Sequence, residues 1–409
     1  MRKLAFITVL LMVFSIPLQN MFLVGNIGTV TRTIGLVAAI LAMLAILTSG
    51  RIRGIRGFHI VVGLFALWTS LSLFWSIDVN ETITRVQTMI QLAAMVWLLW
   101  EFARTEAQQT KILQTYVLGA WLATATIPYP LFFQDISLRR YTTGYFNENL
   151  IGMLVAIGIP IAIYLASKHS HRFWYWVNMT YIPMAIFGVL LTGSRAVIGA
   201  VLLSSILAIW IYLRLGIKAK IATSIFGIIA LYILSSNVPS LVQIRLSSLE
   251  NQIATSALPF RLSIWESGIE LLTETNPILG IGPGTYEAAV ESYLGHSKPP
   301  HNTFIGTFVE LGPIGLTLFM IIVAMVFRSA LAMRSSERWL WLVLLGMWTL
   351  VATFHSAETH KHTWLLFALA FSIGTRATAT DPGQSAPIAS SDAVLPQKGD
   401  RIAPVGESG

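Results

Sequence analysis

The chain consists largely of apolar runs separated by short polar segments. A membrane-spanning helix needs about 20 mostly apolar residues, and twelve runs approach that length: about 4–22, 30–48, 58–75, 87–103, 112–133, 150–167, 174–192, 196–213, 220–236, 303–327, 339–354 and 362–375. The pattern predicts an all-α polytopic membrane protein with about 12 transmembrane helices. The first run resembles a signal peptide but lacks a small-residue cleavage site, so we expect it to remain as the first helix.

The composition agrees with a bilayer environment. Hydrophobic residues make up 55% of the chain and charged residues 11%, whereas about 25% of a globular domain is charged. The net charge of +8 is typical of a membrane protein whose loops face an anionic leaflet. The sequence lacks a basic patch interleaved with aromatic residues, which would indicate a nucleic-acid partner. The chain has no cysteine, which excludes disulfides, thiolate catalysis and Cys-based metal sites.

The charges of the loops orient the predicted bundle. With a cytoplasmic N-terminus, 18 of the Lys and Arg residues lie inside and 9 outside, as the positive-inside rule requires. The even number of spans then places both termini in the cytoplasm. The outer loops are about 23–29, 76–86, 134–149, 193–195, 237–302 and 355–361, and their nine cations are not explained by topology.

Two segments stand out from the spans. Residues 237–302 form one large outer loop with a helical pattern from Arg261 to Glu274, which ends in the glycine turn GIGPG. From about residue 377 the chain has too few bulky apolar residues to fold. We therefore expect a transmembrane catalytic domain at 1–376 and a disordered cytoplasmic tail at 377–409.

Three residues of the outer side carry candidate chemistry. Arg195 follows a span in the run LLTGSRAVIGA, and Arg261 follows Pro259-Phe260. Two guanidiniums that converge can hold phosphate oxygens bidentately, although Arg195 could instead be an interfacial anchor and Arg261 a partner of Glu266 or Glu250. His301 suits a general base near neutral pH, or a histidine bonded to a backbone carbonyl.

Other polar residues extend this candidate site. Asn302 can cap the helix that begins at Thr303, and Glu310 is an intramembrane acid that needs a partner. Aromatic and amide side chains suited to sugar recognition precede the sixth span, although an asparagine there could be a helix cap. We count as substrate-binding candidates Arg139, Arg140, Tyr145, Asn147, Glu148, Asn149, Trp265, Asn302 and Glu310. The histidines of HSAETHKH lie in a predicted short exposed turn, and we expect no metal there.

Several of these motifs, in this order, resemble the bacterial O-antigen ligase and polymerase superfamily. The resemblance rests on LLTGSRAVIGA, on PFRLSIW followed by NPILGIGPGTY, and on HNTFIGTFVELGPIGL. It extends more loosely to GYFNENLIG and covers about residues 140–330. The HN…ELG run is the most specific part. The outer loop carries no appended soluble domain, which argues against the branch that glycosylates proteins.

The resemblance implies a glycosyltransferase of the bacterial inner membrane with a periplasmic active site. Its donor would be an undecaprenyl-diphosphate-linked glycan and its acceptor lipid A-core or another glycan, in a reaction that inverts the anomeric carbon and needs neither metal nor cofactor. The family's diphosphate-binding arginines match Arg195 and Arg261, and its catalytic histidine matches His301. A polymerase that joins lipid-linked units, and a transporter or flippase of an anionic lipid, remain as alternatives. The oligomeric state is left open.

Overall fold

The computed structural model describes residues 1–21, 23–24, 28–129, 141–142, 147–168, 171–237, 257–295 and 297–379. These residues form fourteen α-helices and a two-stranded antiparallel ribbon of β1 (Leu23–Val24) and β2 (Gly28–Thr29). The helices are α1 Arg2–Ser15, α2 Val30–Ser49, α3 Gly57–Leu71, α4 Val79–Phe102, α5 Glu106–Thr126, α6 Glu148–Lys168, α7 Arg172–Thr192, α8 Arg195–Leu213, α9 Ile217–Asn237, α10 Ala257–Thr275, α11 Tyr286–Leu294, α12 Thr303–Leu331, α13 Ser335–Ala352 and α14 Lys361–Ala379.

The all-α, polytopic fold predicted from the sequence is confirmed. Each of the twelve apolar runs coincides with a helix, and α10 and α11 lie in the long outer loop. In the described part of the chain, seven helices are long and apolar enough to cross a membrane: α2, α3 with the turn that extends it to Phe74, α4, α6, α7, α8 and α12. The count of twelve spans therefore stays a prediction.

The start of α4 differs from the prediction. The sequence analysis placed residues 76–86 in a loop, but α4 already begins at Val79. The Asp78 side chain accepts hydrogen bonds from the backbone N–H groups of Asn80 and Glu81 (3.0 and 3.2 Å) and so caps the helix. The polar first two turns hid this start from a hydropathy pattern. As a result Arg85 stands on a rigid helix.

Helix α6 forms the centre of the bundle, since most of its side chains are buried against α5, α7, α8 and α13. Small residues allow the close contacts, as is usual between helices in lipid. A Cβ at Gly158 would lie 2.3 Å from the hydroxyl oxygen of Tyr181, and a Cβ at Gly119 would lie 2.1 Å from the carbonyl oxygen of Phe14. Helix α1 packs on α2 and α5.

One end of the bundle carries an ion-pair network around Glu101, whose side chain is fully buried. Arg2 and Arg104 both pair with its carboxylate, and the backbone N–H of Arg53 donates to Glu101 Oε2 (2.8 Å). The Arg53 side chain in turn donates to the Ser372 hydroxyl (3.0 Å). All these residues belong to loops or helix ends that the charge pattern predicts to be cytoplasmic.

Helix α12 is broken near its middle. Gly312 has φ 69° and ψ −177°, a conformation that is essentially restricted to glycine. Pro313 follows and has no N–H to donate to the carbonyl of Val309. The break therefore leaves backbone acceptors in the interior of the bundle that need partners from elsewhere.

The missing partners come from residues 276–285, which we call the glycine strap. Its Ile281 and Gly282 N–H groups donate to the carbonyls of Val309 and Glu310 (3.1 and 2.9 Å). The glycine turn predicted for this segment is thus confirmed. It is a buried connection to α12.

The strap is also held by the end of α3 and the start of α4. Trp75 Nε1 donates to the carbonyl of Leu279 (3.1 Å), and the Ile77 N–H donates to the carbonyl of Ile281 (3.0 Å). Main-chain hydrogen bonds therefore fix the outer loop to two parts of the bundle at once. The predicted tail lies outside the described residues from residue 380 onward, and α14 continues to Ala379.

Candidate active site

A cavity of about 260 Å³ lies at the end of the bundle where the predicted outer loops meet. Five parts of the chain enclose it: the start of α4, the start of α6, the strap with the start of α11, the outer half of α12 and the segment 355–362. Its polar lining comes from Arg85, Asn147, Asn149, Glu287, His301, Glu310, His355, Ser356, Glu358, Thr359, His360 and His362.

His301 lies directly before α12 in a constrained backbone. Its φ is 48°, the sole positive φ of a non-glycine residue in the described ranges. Asn302 caps α12, because its side-chain oxygen accepts from the N–H groups of Phe304 and Ile305 (2.9 and 3.0 Å). The Asn302 amide also donates to the Thr353 carbonyl (3.3 Å). The cap predicted for Asn302 is present, and it fixes the backbone that carries His301.

The other side of His301 is supported by α10 and by the segment after α13. Trp265 Nε1 donates to the Pro300 carbonyl (2.8 Å). Thr303 Oγ1 donates to the His355 carbonyl (2.7 Å), and the rings of His301 and His355 lie edge to face with centroids 6.0 Å apart. Trp265, a predicted substrate-binding residue, therefore contacts the backbone that precedes His301 and acts first as a support.

The charges around His301 favour its neutral form. Burial lowers its pKa, and the positive charges of Arg261 and Lys298 lower it further. A neutral imidazole near pH 7 can accept a proton from a hydroxyl group. The electrostatic setting is therefore that of a general base.

Arg261 and Arg195 lie close enough to repel each other. The pKa of Arg261 is lowered by burial and by the charge of Arg195, and its guanidinium lies 5.3 Å from the centre of the Phe354 ring. Within the described part of the chain neither arginine has a carboxylate partner, and Arg261 forms no ion pair with Glu266; Glu250 lies outside that part. Two neighbouring guanidiniums without an acid form an anion-binding arrangement.

The helix that carries Arg261 begins earlier than predicted. We placed Arg261 at the helix start, where its charge would oppose the helix dipole. Helix α10 begins at Ala257, so Arg261 stands one turn inside, where the effect of the dipole is weaker. The argument for a partner anion therefore rests on the second guanidinium. Arg195 is the first residue of α8 and follows the left-handed turn at Gly193.

Glu310 is bound by backbone groups. The N–H groups of Gly284 and Tyr286 donate to its carboxylate, with 3.4 Å between Tyr286 N and Glu310 Oε1. Arg85 is close enough to attract it. As an intramembrane acid, Glu310 was predicted to need a partner. The structure places Glu310 at the floor of the cavity, where it holds the first turn of α11.

The segment 355–362 was misjudged. It was predicted to be a short exposed turn, but none of its residues is exposed and His362 is 2% exposed. Burial and the nearby Glu310 raise the pKa of Glu358 to about 7, while burial and Arg85 lower that of His360 to about 4. The hydroxyl of Ser356, Oε2 of Glu358 and Nδ1 of His362 are buried without a hydrogen-bond partner in the described structure. Glu358, an acid among several histidines, was the feature of the sequence that could have identified this segment as part of the site.

The loop before α6 contributes two of its predicted residues. Asn147 and Asn149 line the cavity, and Asn147 Oδ1 accepts from the Asn149 N–H (2.9 Å), so Asn147 also serves as the helix cap considered from the sequence. Glu148 begins α6 and is not part of the lining. The predicted residues Arg139, Arg140 and Tyr145 lie outside the described residues. In the described ranges no three His, Asp or Glu side chains are grouped so as to hold a metal ion.

Comparison with known proteins finds a family match for one segment of the chain. Residues 180–320 match the family model described as O-antigen ligase, and no curated protein matches the chain. The matched segment contains Arg195, Arg261, the glycine strap and His301. Together with the helices long and apolar enough to cross a membrane, this match supports the resemblance seen in the sequence: residues 180–320 are similar to the O-antigen ligase family.

Proposed function

We propose that the protein is a glycosyltransferase that moves a glycan from undecaprenyl diphosphate to lipid A-core at the periplasmic face of the bacterial inner membrane. The family match supports a ligase or polymerase type of reaction on lipid-linked glycans. The observation that carries the proposal is the set of charges around His301, a half-buried histidine that lines the cavity and whose pKa is lowered by burial and by the charge of Arg261. Arg195 lies close enough to lower the pKa of Arg261 in turn, and neither arginine has a carboxylate partner among the described residues.

The reaction follows from these charges. His301 accepts the proton of an acceptor hydroxyl while the oxygen of that hydroxyl attacks the anomeric carbon of the donor sugar. The bond between that carbon and the diphosphate oxygen breaks, its electron pair leaves with the diphosphate, and the anomeric configuration inverts. Arg195 and Arg261 stabilise the negative charge that develops on the leaving group. Because two guanidiniums take this role, we propose that the reaction needs no divalent ion.

The remaining candidates take supporting roles in this proposal. Asn302 and Trp265 hold the His301 backbone, and Glu310 holds the strap and α11. Asn147 and Asn149, as amides at the cavity wall, are proposed to contact sugar hydroxyls, and Glu148, Arg139, Arg140 and Tyr145 belong to the same predicted loop. We propose that residues 1–376 act as one catalytic domain with both termini in the cytoplasm.

The test is a transfer assay with purified protein in proteoliposomes. The protein receives undecaprenyl-diphosphate-linked glycan, lipid A-core and excess chelator, and the wild type is compared with His301→Ala. We expect glycan on lipid A-core with the wild type alone. Longer glycan that stays on the carrier would assign a polymerase. Glycan transfer by His301→Ala at the wild-type rate would refute the role of the histidine, and movement of lipid without any chemistry would assign a transporter.

A further inference from the structure

A second cavity, of about 440 Å³, lies beside the first, between α1, α2 and α4. Its outer end is lined by the cations Arg32, Arg85 and Lys361, and its described lining contains no Asp or Glu. Arg85 lines both cavities, together with Leu150, Thr359 and His360. The two spaces are therefore neighbours that share one wall. Nothing in the proposed reaction uses the second one.

Two of these cations, Arg32 and Lys361, donate hydrogen bonds to neutral side chains. Lys361 Nζ donates to Gln19 Oε1 and Thr29 Oγ1 (2.7 and 3.2 Å), and Arg32 Nη2 donates to Thr88 Oγ1 (3.0 Å). Two cations near each other in a partly buried place destabilise the protein unless an anion compensates them. Burial and the charge of Arg32 lower the pKa of Lys361, in the predicted outer loop 355–361, to about 8.

The lining changes from polar to apolar along the cavity. On α4 the outer turns contribute Thr84, Arg85, Thr88 and Gln91, and the deeper turns contribute Leu92, Met95 and Leu98. At 1.5 Å per residue this face extends over about 21 Å from Thr84 to Leu98. Helix α2 has the same order, with Arg32 near its outer end and Leu36 and Ala39 deeper. Met12 of α1 lies at depth, and Gln19, in the segment after α1, lies at the outer end.

The cavity is also open toward lipid. On α2, Leu36 is 61% exposed and Ile40 is 52% exposed, and on α4 Ile83 and Ile90 are exposed as well. Apolar side chains exposed on membrane helices face acyl chains. A molecule that has a phosphate at one end and acyl chains at the other fits both the cations and the apolar groove.

We propose that this cavity binds the phosphate group of a second lipid, with Arg32 and Lys361 as its ligands and its acyl chains in the groove between α2 and α4. The proposal rests on the proposed function in one respect, namely that the bound lipid is the acceptor of the transferred glycan. Because the two cavities adjoin, a sugar attached to this lipid can reach His301 while Arg195 and Arg261 hold the donor diphosphate. Arg85 lies between the two spaces and separates their anions.

The first test measures binding and needs no catalysis. Full-length protein is incubated with phosphatidic acid, a lipid phosphate monoester, and retained lipid is counted by native mass spectrometry. The double variant Arg32→Gln/Lys361→Gln is compared with Arg172→Gln/Lys218→Gln, which removes two exposed cations at the predicted cytoplasmic end. We expect at least about tenfold weaker retention in the first double variant and wild-type retention in the second.

Three outcomes decide the proposal. Equal retention by both double variants would overturn the site. Competition by inorganic phosphate, with no preference for phosphatidic acid over that ion, would assign a site for free phosphate and overturn the lipid. The charge-conserving variant Arg32→Lys/Lys361→Arg must restore binding, which excludes misfolding as the cause of the loss.

The second test concerns the acceptor role and separates this proposal from the proposed function. In the transfer assay, Arg32→Gln/Lys361→Gln should raise KM for the acceptor lipid about tenfold or more and leave KM for the donor unchanged. If the variant raised KM for the donor instead, the cavity would bind the donor. If the wild type transfers no glycan to any acceptor but retention still depends on Arg32 and Lys361, the lipid site stands and the proposed function fails.

Discussion

Replacing Gly312 by alanine tests whether the break in α12 holds the outer loop in place. A Cβ at this position would lie 2.1 Å from the carbonyl oxygen of Ile278 and 3.0 Å from the carbonyl carbon of Leu279. Those atoms belong to the strap backbone, which cannot move aside as a flexible side chain can. The backbone conformation of Gly312 alone costs an L-residue about 1–3 kcal/mol. The overlap with the strap adds to this cost.

The alanine must therefore either strain α12 or displace the strap. The displacement needed to relieve the overlap is on the order of 1 Å. Displacement of the strap would move Tyr286 and Glu310 at the cavity floor. A shift of about 1 Å near reacting groups can reduce a rate about 100-fold. We expect Gly312→Ala to lower both the thermal stability in detergent and the rate of glycan transfer.

The matched control is Gly346→Ala in α13. A Cβ there would have its nearest neighbour, Leu203 Cδ1, at 3.8 Å, and alanine favours a helix over glycine by about 1 kcal/mol. Thermal unfolding is followed by size-exclusion chromatography of heated samples, and transfer is measured in proteoliposomes. We expect Gly346→Ala to be at least as stable as the wild type. If Gly312→Ala were as stable and as active as Gly346→Ala, the reasoning about the strap would be wrong.

Three further predictions concern the candidate active site. Arg195→Lys keeps the charge but loses the guanidinium fork, so transfer should fall about 10- to 150-fold, and near-normal turnover of the purified variant would refute bidentate binding of the diphosphate. A general base must be neutral, so kcat/KM should persist below pH 6.5 and fall as the pH drops through the lowered pKa of His301. Arg261→Gln removes one cause of that lowering and should move the acid side of the pH profile to higher pH. An unchanged profile would show that the charge of Arg261 does not act on His301. Trp265→Phe loses the hydrogen bond to Pro300 and should lower kcat about tenfold with little change in KM, whereas an effect on KM alone would make Trp265 a substrate contact.

The fold could be read from the sequence because its main determinant is the bilayer. Each apolar run became a helix, and the glycine turn and the Asn302 cap were found where residue type and backbone geometry are tightly linked. Helix ends made of polar residues, such as the first turns of α4, gave no hydropathy signal. Short or less apolar helices such as α1 and α13 left the number of spans open.

The candidate site could be predicted only in part. The sequence brought forward His301, Arg195 and Arg261, and the structure places Arg261 close enough to interact with both of the others. It missed Glu358 and Arg85, since their importance comes from contacts between segments far apart in the chain. Arg85 lies 274 positions before Thr359, to which it donates a hydrogen bond of 3.3 Å. No local pattern records such a pairing.

The strap is joined to α12 through main-chain groups, which has a consequence for how this protein can diverge. A joint of N–H and carbonyl groups does not depend on which side chains stand beside it. Homologous sequences can therefore exchange apolar residues such as Ile278 and Leu279 freely while the joint persists. The glycines at 280 and 312, each with a positive φ and a backbone neighbour closer than 2.5 Å to any added Cβ, cannot be exchanged. A library of random substitutions at positions 278–280 and 312, selected for transfer, should accept other apolar residues at Ile278 and Leu279 and retain glycine at 280 and 312.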